Sequence, residues 1–217
     1  MPKRTRQFKL RPQHGAPRRR LQGAEYVQED ACGDTPQRPQ SLAGQLLDYA
    51  ARWPLEAPQV ALFNELLNDP ADAFQRERAA GHFTAGAWLI SADGLRLLMT
   101  HHRKLGRWLQ LGGHADGERD MAAVALKEAQ EESGLEGLMV EGDAIFDLDR
   151  HWIPERRDVP GHWHYDVRYV VRAGADENCL VSDESHDLAW RPIVEVARDP
   201  DESLSRMARK WLDSRSS

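Results

Sequence analysis

The sequence predicts an α/β (α+β) fold, a sheet packed with helices, on three observations. Asp120–Ser133 has the apolar spacing and the end signals of an amphipathic helix, Phe83–His101 has the pattern of a hairpin, and Gly161–Arg172 alternates strictly. Helical and strand periods are interleaved along the chain, which is how helices come to cover a sheet.

The chain divides into three parts. Residues 1–40 form a basic tail expected to be disordered, 41–80 a helical extension, and 81–217 the main domain with its C-terminal helix. The first twenty residues carry Lys3, Arg4, Arg6, Lys9, Arg11, Arg18, Arg19 and Arg20 and no acid. Such a tail can hold RNA or another polyanion, but an extension without a role is the simpler reading. From Ser41, a helix N-cap, Leu42, Leu46, Leu47 and Ala50 recur on one face. After Trp53-Pro54, a second run places Val60, Phe63, Leu66 and Leu67 together, and Pro70–Arg78 can continue it. These helices pack on the domain or form a homodimer surface.

Composition sets limits. With 217 residues, 41% hydrophobic and 29% charged, the chain suits one domain with appendages, and a net charge of -6 argues against wholesale nucleic-acid binding. No apolar run approaches the ~18 residues of a membrane span, and the N-terminus has no apolar signal region, so no membrane partner is expected. Cys32 and Cys179 suggest neither a disulfide framework nor a zinc site, and a cytoplasmic setting follows as the default.

In the main domain Phe83–Ser91 and Leu95–His101 read as strands around the turn Ala92-Asp93-Gly94. His101, His102, Arg103 and Lys104 follow, and Arg107–Leu111 delivers the chain into a turn rich in glycine, Gly112, Gly113 and Gly117. Then comes the helix. Asp120 can cap its first turn and Gly134 can close its last in the left-handed conformation. Ala122, Ala125, Leu126 and Ala129 supply an apolar stripe, while Glu128, Glu131 and Glu132 share another face. Three carboxylates so close repel one another without a cation. Hard divalent ions such as Mg²⁺ or Mn²⁺ prefer such oxygen ligands, although a solvated acidic face has the same spacing.

The stretch Gly112–Leu135, GGHADGERDMAAVALKEAQEESGL, resembles a Nudix box: Gly, five residues, Glu, seven residues, Arg-Glu-aliphatic-any-Glu-Glu, any, Gly, aliphatic. Gly113 takes the first glycine, Glu128, Glu131 and Glu132 the glutamates of the helix, Ala129 the aliphatic place, Gly134 the closing glycine and Leu135 the last position. The resemblance implies a Nudix-like mixed β-sheet sandwiched between helices. It also implies that Glu128, Glu131 and Glu132 are catalytic metal ligands and that the Gly112 carbonyl completes the shell. Two positions depart from the signature. Lys127 replaces the arginine and loses its two-pronged donor. Arg119 replaces the first glutamate, so two places that pair in relatives are both cationic here and are expected to repel; Lys127 is expected to turn to Asp120 or Glu131 instead.

Basic groups beside an acidic metal site suit a phosphorylated substrate, and Arg103, Lys104 and His114 are candidates to bind it. Leu138–Leu148 reads as a strand and Asp147–Pro160 as a polar loop. In Gly161–Arg172, His162, His164, Asp166 and Arg168 share one face, opposite Trp163, Tyr165, Val167 and Tyr169. His164, Asp166 and Arg168 are read as substrate contacts. The His-X-His pair with Asp166 could also hold zinc, but no third ligand of obvious spacing accompanies it. Nudix enzymes often recruit a further acid from the region just before a late strand, which implies Glu184, with Asp183 and Asp187 as alternatives. A last helix over Glu202–Leu212 packs through Leu204, Met207, Ala208, Trp211 and Leu212.

The function expected is Mg²⁺-dependent (or Mn²⁺-dependent) hydrolysis of a pyrophosphate bond in a nucleoside diphosphate linked to another moiety. The partner is then a small nucleotide-derived diphosphate. The alternative is a protein that keeps the fold to sense a nucleotide or bind RNA without catalysis, for which Arg119 is the main argument.

Overall fold

A computed structural model describes residues 40–103, 105–156, 159–181 and 185–215. The basic tail therefore lies outside the described residues, as do Lys104, Asp183 and Glu184. The elements follow in order as α1 (Leu42–Arg52), a 3-10 turn (Pro54–Glu56), α2 (Ala57–Leu67), β1 (Gly81–Ile90), β2 (Arg96–His102), β3 (Arg107–Leu109), β4 (Leu111–His114), α3 (Met121–Ser133), β5 (Met139–Val140), β6 (Asp147–Ile153), β7 (His162–Arg172), β8 (Ser185–Pro192), α4 (Ile193–Val196) and α5 (Glu202–Ser214).

β1 is the axis of an eight-stranded mixed sheet and is buried along its whole length. On one edge it pairs in parallel with β7 over ten residues, from Gly81↔Trp163 to Ile90↔Arg172. On the other edge it pairs with β4 and then, at Ile90↔Leu97, with β2, which continues to β3 and β8. β6 and β5 pair with the outer edge of β7.

Alternation along β1 divides the interior. Phe83, Ala85, Ala87 and Leu89 belong to a core shared with α1, α2 and α3, including Leu46, Phe63, Val124, Ala125 and Ala129. Trp88 and Ile90 belong to a second core with Ile193 of α4 and Leu204, Met207 and Trp211 of α5. The result is a mixed sheet with helices on both faces, as the resemblance implies. Every residue of the α3 stripe contributes, with Met121 and Val124 more deeply buried than Ala122 and Leu126. Among the described residues no helix is long and apolar enough to cross a membrane.

The structure corrects three expectations about chain path. Leu138–Leu148 is not one strand, because Gly142 turns the chain with φ 76° and separates β5 from β6. Asp147–Ile153 is strand rather than loop, and its acids are carried inward by pairing Asp147↔Arg168 and Asp149↔Asp166. Likewise Pro70–Arg78 is a series of turns rather than a helix. This segment clamps the start of the box: the amide of Phe83 donates to the carbonyl of Ala73 at 2.8 Å, and that of Gly117 to Phe74 at 2.9 Å.

Candidate metal centre and the polar face of the sheet

β4 sets the floor of the carboxylate site. Gly112 pairs with Gly86 and Gly113 with Ala85. A Cβ on Gly112 would stand 2.4 Å from the Ala85 carbonyl oxygen, and one on Gly113 would stand 2.3 Å from Glu128 Oε2. At Gly112 both the positive φ and the Ala85 backbone exclude a side chain, whereas at Gly113 a methyl would have to displace the end of a side chain. At Gly113 the group occupying that space is the Glu128 carboxylate, which ties the helix to the loop before it.

α3 begins and ends as its sequence predicts. The Asp120 carboxylate accepts from the Ala123 amide at 3.1 Å, and Gly134 closes the helix with φ 67°. Lys127 Nζ lies 3.2 Å from Glu131 Oε2 and 3.4 Å from Glu128 Oε1. The hydrogen bond to Glu131 and the charge of Glu128 raise the ammonium pKa. Of the two partners considered for Lys127, Glu131 takes the ion pair while Asp120 serves as cap. Glu131 is exposed and Glu128 and Glu132 are half-buried, so the acidic face opens to solvent.

Arg119 does not confront Lys127. Its guanidinium lies 3.2 Å from Asp72 Oδ2 and 4.7 Å from the centre of the Phe74 ring. Arg76 similarly forms a two-pronged bond to Asp116. The departure from the signature is thus absorbed by the clamp, because the cation finds an acid and a ring outside the box. Nothing within the box announces those partners.

Arg103 donates to the Ser185 carbonyl at 3.1 Å, and its side chain is exposed at the β2–β3 turn. Asp166 and Arg168 lie elsewhere, both buried. Asp166 accepts from Thr84 Oγ1 at 3.0 Å, Gln110 Nε2 at 2.9 Å and Arg168 Nε at 2.7 Å. Arg168 also meets Asp147 at 3.1 Å and Asp149 at 3.3 Å. Arg206 and Lys210 of α5 reach Asp147 at 2.7 and 2.8 Å. Burial alone would raise the carboxyl pKa of Asp147, but the Arg206 hydrogen bond and the charges of Arg168, Arg206 and Lys210 outweigh it and hold it low. For Asp149 the hydrogen bond from His151 and the same two arginines do likewise. The alternation of β7 is as expected, but its Asp166 and Arg168 are occupied with internal partners.

His114 and His164 lie together with a histidine to which the sequence reading gave no role, His82 at the start of β1. Their ring centres are 5.0–5.1 Å apart in each pair. The register His82↔His164 across β1 and β7 is the signal that joins them, and it is not visible in local spacing.

A sequence model of the NUDIX domain matches residues 81–212. That is more than half of the 217 residues, and the chain belongs to the Nudix family. No curated protein sequence matches it. Among solved structures, the MutT protein from Methanosarcina mazei Go1 has the same fold, with a TM-score of 0.51 and 12% identity over 64% of this chain and 99% of that one. A C. elegans Ap4A hydrolase is similar with TM-score 0.48 and 16% identity, covering 62% of this chain and 97% of its own. RenU, a Nudix hydrolase from M. Smegmatis, gives 0.45 and 21%, with 63% and 85% covered. Nudix hydrolases generally use divalent metal ions.

Proposed function

We propose that the protein hydrolyses a pyrophosphate bond in a nucleoside diphosphate linked to another moiety, using Mg²⁺ or Mn²⁺. The observation that carries this reading is the seating of the Glu128 carboxylate over Gly113, on the same helical face as Glu131 and Glu132. An all-oxygen donor set of carboxylates with a neighbouring backbone carbonyl fits a hard divalent ion. Glu128, Glu131, Glu132 and the carbonyl of Gly112 would hold it. Bound there, such an ion neutralises phosphate charge and lowers the pKa of coordinated water.

The remaining work falls to the chain's own groups. Lys127 holds Glu131 and Glu128 in place, as a point charge rather than the fork an arginine would supply. Arg103 and Lys104 supply donors to the terminal phosphate oxygens. A carboxylate within hydrogen-bond reach of the attacking water takes its proton, and Glu184 is the proposed base. Asp166 and Arg168, engaged with internal partners, steady the β7 strand. A cytoplasmic setting goes with a nucleotide-derived substrate.

The test is turnover of a panel of dinucleotides, nucleotide sugars, nucleoside triphosphates and capped RNA, with and without Mg²⁺, for the native protein and for Glu131→Gln and Glu132→Gln. Metal-dependent cleavage that collapses in both variants is the expected result. Binding of a panel member without cleavage would replace the enzyme with a nucleotide sensor.

A further inference from the structure

Beyond the carboxylate helix the structure gathers a second set of metal-ligating side chains. His82 follows the alternation of Trp88 and Ile90, the face of β1 turned towards α5, whereas Gly113 pairs with Ala85 of the face turned towards α3. Parallel pairing puts His164 of β7 directly opposite His82, and antiparallel pairing puts His114 opposite Thr84, two residues on along the same face. Three strands therefore deliver one imidazole each to one place. One nitrogen from each of His82, His114 and His164 lies within 4.8 Å of the other two.

The central ring is prepared as a ligand. His82 is 2% exposed, and its Nδ1 lies 3.5 Å from the Arg78 carbonyl oxygen, to which it can only donate. That leaves the lone pair on Nε2, which is buried with no hydrogen-bond partner among the described residues. A buried nitrogen without a partner needs a reason. Backbone-fixed Nδ1–H with a bare Nε2 is the tautomer of a metal-bound histidine. A fourth imidazole stands alongside: His162 Nδ1 donates to the Pro160 carbonyl at 2.8 Å and its Nε2 lies 3.1 Å from His164 Nε2.

The setting of the three rings opposes their protonation. Burial, and then the charge His114 would carry, lowers the pKa of His82 to about 4 and that of His164 to about 2. Burial and then Arg76 lower that of His114. These shifts favour the neutral ring, the form in which an imidazole binds a metal.

We propose that His82, His114 and His164 form a binding site for a divalent transition ion, Zn²⁺ foremost, independent of the carboxylate helix. An all-imidazole set suits Zn²⁺, Cu²⁺ or Ni²⁺ and is a poor match for Mg²⁺, so the two sites select different ions. Tetrahedral Zn–N bonds place nitrogens ~3.4 Å apart, which small side-chain rotations reach from the separations here. His114 and His164 are partly exposed, which leaves the fourth position open to water or an added ligand. His114 and His164, expected from the sequence to contact substrate, then act with His82 as metal ligands, and His162 positions His164. The third ligand that local spacing does not reveal comes from β1.

The test is titration of the chelator-treated full chain with Zn²⁺ near neutral pH, in excess Mg²⁺ to occupy the carboxylates. One Zn²⁺ per chain is expected, with affinity lowered on the order of 100-fold in His82→Gln and His164→Gln and retained in Glu131→Gln. X-ray absorption on the zinc-loaded native protein should show a nitrogen shell at about 2.0 Å with imidazole scattering, a readout that does not depend on any variant folding. No uptake, equal affinity in the histidine variants, loss of uptake in Glu131→Gln, or an oxygen-dominated shell would each overturn the site.

Discussion

Two regions of this molecule each gather three acids, and they handle the charge in opposite ways. Asp147 and Asp166 are buried and Asp149 half-buried between β6, β7 and α5, and the three are met by Arg168, Arg206 and Lys210. On α3, Lys127 bridges Glu131 and Glu128 on a face that opens to solvent. The first set is matched cation for carboxylate and largely withdrawn from solvent. The second keeps an excess of negative charge where a hydrated ion can arrive. The difference teaches that clustering of acids is not itself a sign of metal binding; the local charge balance and access to water decide it.

The sharpest way to break this comparison is Asp147→Ala. It removes the acid that Arg168, Arg206 and Lys210 share, leaving them Asp166, Asp149 and Glu56, and should cost about 3 kcal/mol in denaturant unfolding, whereas Glu131→Gln should stay within about 0.5 kcal/mol. Comparable losses would erase the distinction. Next in size, Glu132→Gln should lower Mg²⁺-dependent turnover on the order of 100-fold, about 2.7 kcal/mol of barrier, with the unfolding midpoint unchanged. An active Glu132→Gln variant would mean that α3 is no more than a solvated acidic surface.

Acid should act on the buried set. The carboxyls of Asp147 and Asp149 are held below their unfolded value of about 4, so their stabilisation is complete above that pH and declines as pH falls below it. The expected slope is about 1.4 kcal/mol per pH unit for each group, read from unfolding curves at successive acid pH values, and it should vanish for Asp149 in Asp149→Asn. A smaller effect tests the seating of Glu128. In Gly113→Ala the new methyl displaces the carboxylate, so turnover should drop roughly tenfold while the fold persists, because the displaced atoms end a flexible side chain. Smallest of all, Arg119→Ala should cost about 1 kcal/mol in stability through loss of the Phe74 stacking and the exposed Asp72 pair.

What could be read in the chain beforehand was what its neighbours in sequence determine. The caps of α3, the shared face of its glutamates and the alternation of β7 are local properties, and all three appear as the spacing predicts. Asp147–Ile153 was harder to read, because its inward-facing acids look like loop residues until the arginines and lysine of distant elements are placed beside them. His82 carried no signal at all: a histidine at the start of a strand becomes a candidate ligand only through its register with His164. The partners of Arg119 lie more than forty residues upstream, so repulsion with Lys127 was the natural inference from the box read by itself.

That last contact has a practical corollary. A truncation that began at β1 to isolate the family domain would delete Asp72 and Phe74, uncover the ring of Phe83 that packs 5.0 Å from Phe74, and leave a guanidinium loose beside the acidic helix. Any minimal version of this protein made for screening should therefore keep the turns between α2 and β1, since the signature's missing glutamate is answered from that segment and not from within the motif.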